Sequence, residues 1–159
     1  MEYVGEHLLP GQIGRLALVL GFVASIIAAV SYFFATQRRA QLAEATNWRK
    51  IGRGAFIIHG ICFLTVIGIL FYIMINRYYE YQYAQLHVSD DLPFQYIFSA
   101  FWQAQEGSFL LWMFWHIVLG FILIKKAREW ETPVLSILSL VQVFIGTMLL
   151  GVYLSLIHI

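Results

Sequence analysis

The residues best suited to chemistry lie together in Trp102-Gln103-Ala104-Gln105-Glu106-Gly107-Ser108-Phe109-Leu110-Leu111-Trp112, where a polar Gln-Glu-Gly-Ser step runs into an aromatic, apolar segment. A carboxylate at the mouth of a membrane span is costly unless it caps, pairs or binds something. Glu106 can favour a helix amino terminus by its charge, or hold a ligand through a charge-assisted hydrogen bond. Trp102 and Trp112 offer flat apolar rings whose N–H groups want an acceptor, which is why tryptophan collects at membrane interfaces. In steps of seven, Trp102, Phe109 and His116 share one face if a single helix runs through them. That face could line a haem or quinol cavity with Glu106 at its outer end. The plainer account gives His116 a hydrogen bond to a neighbouring helix and Glu106 a capping role.

The other histidines are weaker signals. A b-type haem held between His59 and His116 is one arrangement to weigh. His59 falls about four residues from the inner end of its apolar run and His116 near the middle of its own. At about 1.5 Å of rise per residue, that offset is on the order of 6 Å, which argues against the pair. His87 belongs to an external loop, where a solvated or Asp90-paired ring is expected, and His7 and His158 lie near the ends. Cys62 is alone, so no intramolecular disulfide can form, and a buried structural thiol is expected. No Cys-x-x-Cys-His occurs, so the chain is not itself a c-type cytochrome, and no metal-ligand set is assigned.

The elements that position these residues are set by lipid. The chain is 60% hydrophobic and only 12% charged, with a mean hydropathy of +0.73, which excludes an ordinary soluble domain. Long apolar runs are expected to be helices, because backbone polar groups left unpaired in hydrocarbon are too costly. About 20 apolar residues cross the bilayer core. Four spans are therefore expected, near residues 16–35, 55–75, 108–124 and 134–154. The fold class is an all-α, polytopic membrane protein forming a single domain over residues 1–159. A cleaved signal peptide fits the first run poorly, since Arg38-Arg39 follows it and no small-x-small cleavage site does.

Charge gives the orientation. Arg38, Arg39, Arg49, Lys50 and Arg53 follow the first span, and Lys125, Lys126 and Arg128 follow the third. The amino-terminal tail and the segment from Asn76 to Gln95 carry Arg15 and Arg77 against Glu2, Glu6, Glu80, Asp90 and Asp91. The positive-inside rule then places both basic loops in the cytoplasm and the amino terminus outside. The net charge of +1 hides this asymmetry, and no nucleic-acid partner is expected.

Three further features concern assembly. Ala17, Gly21, Ala24, Ala28, Ser31 and Ala35 form a stripe of small residues on one face of the first span, fit for close helix packing. The tyrosine-rich segment Arg77 to Tyr83 reads as an exposed interfacial strip. Asp90-Asp91-Leu92-Pro93 is a helix-start signal with an N-cap carboxylate, opening a helix from Phe94 to about Gln103.

The central run resembles the Trp-Gly-Gly-His/Gln-Glu-Gly-Ser-Leu-Leu-Leu-Trp signature of the CcmF family, the haem lyase membrane subunits of cytochrome c maturation. The resemblance extends back through Tyr83-Ala84-Gln85-Leu86-His87-Val88-Ser89-Asp90-Asp91-Leu92-Pro93 and Phe94 to Trp102. Gln105 stands where many members have histidine, and glutamine cannot take a proton at neutral pH. No tryptophan here is followed by aspartate, so the family's Trp-Asp haem-handling segment is absent. With the chain ending at Ile159 inside an apolar run, an amino-terminal piece of a longer protein is expected. Residues Ser155 to Ile159 need not be native to it.

The resemblance implies a bacterial cytoplasmic (inner) membrane location and haem as the cofactor of the whole protein. It also implies a haem chaperone, apocytochrome c and other maturation subunits as partners, with the lipid membrane around it. The activity implied is covalent attachment of haem to apocytochrome at the outer face. Trp102, Gln105, Glu106, Ser108 and Trp112 would form a rim touching haem or a partner, with no catalytic residue assigned and no axial ligand in this segment. Two other readings stay open: a respiratory subunit using Glu106 and His116 with quinol, protons or b-type haem, and a purely structural membrane subunit.

Overall fold

The computed structural model describes residues 7–103 and 105–156. These form six helices, α1 (Leu8–Gln37), α2 (Leu42–Ile75), α3 (Gln82–His87), α4 (Phe94–Gln103), α5 (Gln105–Lys126) and α6 (Glu131–Leu156), with a 3-10 turn at Arg128–Trp130 before α6. Four stretches among the described residues are long and apolar enough to cross a membrane: Leu8–Gln37, Leu42–Ile75, Glu106–Lys126 and Arg128–Gly151. The all-α, four-span expectation holds. His158 and Ala104 lie outside the described residues.

The four long helices form a bundle in which α1 packs along α2 and α6, and α5 closes the ring against α6 and α2. Short connections at 38–41 and 127–130 mark one end, and α3 and α4 cover the other. Ala17, Gly21, Ala24, Ala28, Ser31 and Ala35 are all buried on α1, as the small-residue stripe requires, while Leu16, Val23 and Ile27 face outward. Without a hydrophobic effect in lipid, such close backbone approach and its dispersion energy hold spans together.

The helices overrun the apolar windows. α1 starts eight residues before Leu16, and α2 starts at Leu42, so Arg49, Lys50 and Arg53 stand on a helix and not in a loop. Leu42-Ala43-Glu44-Ala45 is a good helix-forming sequence, and its charges exclude only the hydrocarbon, not the helix. Cys62, expected to be buried, is half-buried.

The outer connection is also more ordered than a strip. α2 ends in a Schellman turn: Tyr78 N–H donates to the Ile73 carbonyl and Arg77 N–H to that of Met74. Arg77 sits at φ 55°, a left-handed position normally reserved for glycine. α3 then forms from Gln82 to His87. α4 begins where expected, but not through an aspartate cap. Asp90 accepts a hydrogen bond from Tyr79 at 2.6 Å, and the Pro93 carbonyl accepts the Tyr96 N–H. His87, expected to be solvated or paired with Asp90, has its Nδ1 2.8 Å from the Tyr83 carbonyl.

The start of α1 is clamped to this connection. His7 stacks on Tyr78 at 4.3 Å, and its backbone N–H donates to Glu80 at 3.0 Å. The Tyr81 hydroxyl bridges the His7 carbonyl and the Gly11 N–H. Partial burial pushes the Glu80 carboxyl upward, but the hydrogen bonds from His7 outweigh it and hold the group below its ordinary range. A carboxyl lowered in the folded state stabilises above its unfolded pKa, and that contribution disappears as pH falls through the folded value. Acidification from neutral toward pH 3 should therefore lower the hydrogen-exchange protection factors, measured relative to the intrinsic rate at each pH, near the start of α1 while the bundle centre stays protected. Glu80→Gln should show the lowered protection at neutral pH already; unchanged protection in both cases would remove the clamp from the account.

Candidate functional site

The Glu-Gly-Ser step forms a tight junction between α4 and α5. A Cβ on Gly107 would lie 1.8 Å from the Phe101 carbonyl oxygen and 3.3 Å from the Trp102 Cα. Only hydrogen fits there. The first turn of α5 therefore sits directly on the last turn of α4, and Phe101 O also accepts a 2.8 Å hydrogen bond from the Tyr83 hydroxyl. α3, α4 and α5 thus converge on one carbonyl. Burial first, and then the nearby Glu106 carboxylate, push the Tyr83 hydroxyl well above its ordinary pKa, so it stays a donor.

This junction also corrects one expectation. The steps of seven from Trp102 through Phe109 to His116 need a straight helix, but the Phe101 carbonyl oxygen lies against Gly107, six residues on, far closer than a straight helix brings them. Trp102 belongs to α4, with its ring edge-on to Phe98 at 4.4 Å. Its Nε1 is buried without a hydrogen-bond partner among the described residues. Gln105 is the first residue of α5, and Glu106 follows in the first turn. Ser108 is exposed, and Trp112 is 63% exposed on the outward face of α5. The indoles of Trp102 and Trp112 therefore lie on different helices, one packed against the core and the other turned outward.

Glu106 is distinguished by what it lacks. Glu131 is buried and paired with Arg53, and half-buried Glu80 is paired with His7. Among the described acidic residues that are at least half-buried, Glu106 alone has no side-chain hydrogen-bond or ion-pair partner. Its position at the α5 amino terminus gives it favourable dipole interaction, but leaves its charge uncompensated by any ion pair.

The two intramembrane histidines do not form a facing pair. His59 is fully buried, between the rings of Phe63 at 4.7 Å and Phe56 at 5.9 Å. Its Nδ1 lies 2.9 Å from the Gly21 carbonyl of α1. A carbonyl only accepts, so Nδ1 carries the hydrogen. The side chain on its other side is Gln142 of α6, whose amide donates to the Met113 carbonyl at 3.1 Å. His59 stands midway along α2 because that helix continues past the apolar window, so its distance from the window's inner end is unchanged. His116 stays half-buried on α5, and its Nδ1 lacks the interhelical hydrogen bond expected of it.

No family model matches the chain, and no solved structure does. Two curated relatives do. The chain is 27% identical over 137 residues to the cytochrome c-type biogenesis protein CcmF of Haemophilus influenzae, covering 83% of the chain. It is 28% identical over 113 residues to the protein of the same name from Pseudomonas fluorescens, covering 69% of the chain. The resemblance to CcmF read from the Glu-Gly-Ser run is therefore also present across most of the sequence. The chain spans only 20% and 15% of the length of these two relatives.

Tyr83 and Phe101 are the site residues that sequence reasoning missed. Tyr83 was hidden in a tyrosine cluster, and a carbonyl acceptor leaves no mark in a sequence. The contact at Gly107 predicts that Gly107→Ala forces α4 and α5 apart and destabilises by roughly 1–3 kcal/mol or more, as overpacking does. Gly68→Ala, where an added Cβ meets nothing within 4 Å, should be neutral or stabilising in the same thermal unfolding measurement. Equal melting temperatures for the two variants would show that the junction tolerates a side chain.

Proposed function

We propose that the chain is a single membrane domain serving cytochrome c-type biogenesis, and that it presents the α4–α5 junction at the outer face of a bacterial cytoplasmic membrane. The observation that carries this reading is its similarity, over most of its length, to two proteins named for that process. The junction supports it: a sterically fixed Gly107, an unpaired Glu106 and an orphaned Trp102 N–H stand together at one end of the bundle. Such groups suit contact with an apolar ring bearing polar edges, or with a protein partner that brings it.

The fit to haem is one of contact and orientation. None of Trp102, Gln105, Glu106, Ser108 and Trp112 is a histidine, cysteine, methionine or tyrosine, so axial ligation is not assigned to this rim. When bound by the whole protein, haem supplies the vinyl groups that become thioether links to apocytochrome cysteines. Trp102 would donate its N–H to a polar edge, Glu106 would accept from a partner donor, and exposed Ser108 and Trp112 would extend the surface toward a chaperone or apocytochrome. Gln105 stands beside them at the start of α5, able to hydrogen-bond but not to act as a base at neutral pH.

Orientation is directly testable. The basic residues at the 38–41 and 127–130 end favour the cytoplasm, which puts α3, α4 and the junction outside. In a Cys62→Ser background, Ser89→Cys should react with an impermeant thiol reagent on intact cells and Ala43→Cys only after lysis. The reverse pattern would invert the topology.

Glu106 tests the role itself. In the intact gene product, expressed in cells lacking their own biogenesis protein of this kind, Glu106→Gln should lower haem staining of a reporter c-type cytochrome about tenfold. That is the loss expected for one charge-assisted hydrogen bond of about 1.5–3 kcal/mol. Membrane levels of the protein should be unchanged, because loss of a dipole interaction alone costs only about 0.3–1 kcal/mol. Full staining with both Glu106→Gln and Glu106→Ala would reduce Glu106 to a helix-start residue.

A further inference from the structure

The end of the bundle opposite the junction carries a concave basic surface that no role in cytochrome assembly explains. Two cavities of about 400 Å³ each open there and share Arg49, Arg128 and Glu129 in their walls. Arg39 lines one and Lys125 the other, so cations converge from the α1–α2 turn, α2, the end of α5 and the turn before α6. The acidic groups do not neutralise them. Glu131 is consumed by a bidentate pair with Arg53, both contacts at 2.5 Å, and is 1% exposed. Glu129 is exposed and lines both cavities, so its one carboxylate stands against the four cations Arg39, Arg49, Lys125 and Arg128, and its backbone carbonyl, at 3.3 Å, receives the Arg39 guanidinium. Among the described residues, Arg49, Lys125 and Arg128 form no ion pair.

The walls say what kind of anion fits. Ile124, at the inner end of its apolar window, lines the second cavity, and Trp130, beside the shared Glu129, is 72% exposed. Large apolar side chains left bare at the level of clustered arginines mark the depth where acyl chains meet headgroups. A soluble anion would gain nothing from them. A phospholipid gains twice, through its phosphate in the basin and its chains along Ile124, Trp130 and the bundle wall. Basic pockets between spans on the cytoplasmic side are well suited to anionic headgroups, each nearby cation contributing about fivefold in affinity, equivalent to about 1 kcal/mol.

We propose that this basin is a binding site for the phosphate headgroup of an anionic phospholipid, held chiefly by Arg49 and Arg128. The site depends on the helices spanning a bilayer and is independent of any part played in cytochrome biogenesis.

The full chain, purified in a zwitterionic detergent, would be mixed with phosphatidylglycerol or phosphatidylcholine and examined by native mass spectrometry for retained lipid. Phosphatidylglycerol should be retained at least fivefold better. The double change Arg49→Gln with Arg128→Gln should remove at least fivefold of that preference, whereas Arg15→Gln with Lys50→Gln, which loses the same charge outside the basin, should keep it. Arg49→Lys with Arg128→Lys should retain most of it, and circular dichroism would confirm that each variant is folded. Inorganic phosphate at equal concentration should not displace the lipid. Equal retention of the two lipids, equal loss in both glutamine pairs, or displacement by inorganic phosphate would each overturn the assignment: the first by showing no anion site, the second a diffuse charge effect, the third a soluble-anion site.

Discussion

The bundle is organised around the bare backbone of Gly21 lying against α2. A Cβ at Gly21 would come within 2.9 Å of the Cys62 Cβ and 3.0 Å of the Phe63 ring. Its absence lets His59 reach the Gly21 carbonyl, a hydrogen bond made where no water competes. The consequence runs through all four spans. With Nδ1–H given to Gly21, a neutral His59 turns an Nε2 lone pair toward Gln142. Gln142 gives its amide hydrogen to Met113 of α5, so its Oε1 is an acceptor as well. Both atoms are buried without a partner. His59 thus ties α2 to α1 and Gln142 ties α6 to α5, each through one buried hydrogen bond to a carbonyl.

The α2–α5 seam follows the same logic in reciprocal form. Gly60 receives Phe121 and Ile117, and Gly120 receives Phe56, with virtual Cβ contacts of 2.9, 3.1 and 2.2 Å. Each glycine is a hole for the other helix's aromatic knob. Gly146 takes Phe22 on the α1–α6 side in the same way. Because lipid solvates apolar side chains as well as protein does, these shape matches replace the hydrophobic drive that would assemble a soluble bundle.

This explains what could be read from the sequence. Helical class, span number and the α1 small-residue stripe follow from local rules: apolar length, backbone satisfaction and residue size. The start of α4 was legible because Pro93 is a local signal. Helix ends in the charged segments were not, since a hydropathy window measures the hydrocarbon and α2 continues past it to Leu42. The use of Asp90 by Tyr79, and of His87 by Tyr83, depends on neighbours chosen by the fold. Most of all, the meaning of Gly107 was hidden. Its presence in the Glu-Gly-Ser run was plain, but only the approach of Phe101 shows that the residue is sterically compelled. The close approach of Phe101 to Gly107 is also why Trp102 leaves the face shared by Phe109 and His116.

Charge use then separates the two ends of the molecule. At the 38–41 and 127–130 end, Glu131 is desolvated and locked to Arg53, joining α2 to α6. A buried pair of this kind gains little net stability, because desolvation offsets attraction, but it permits only one register of the two helices. At the other end Glu106 is held by the tight α4–α5 contact without any such partner, close to a tyrosine whose hydroxyl is already committed to Phe101. A carboxylate left unpaired on this turn, where the other half-buried ones are paired, is what the proposed contact with a partner requires. The rigidity matters as much as the charge, since a contact group orients a partner only if its own backbone cannot yield.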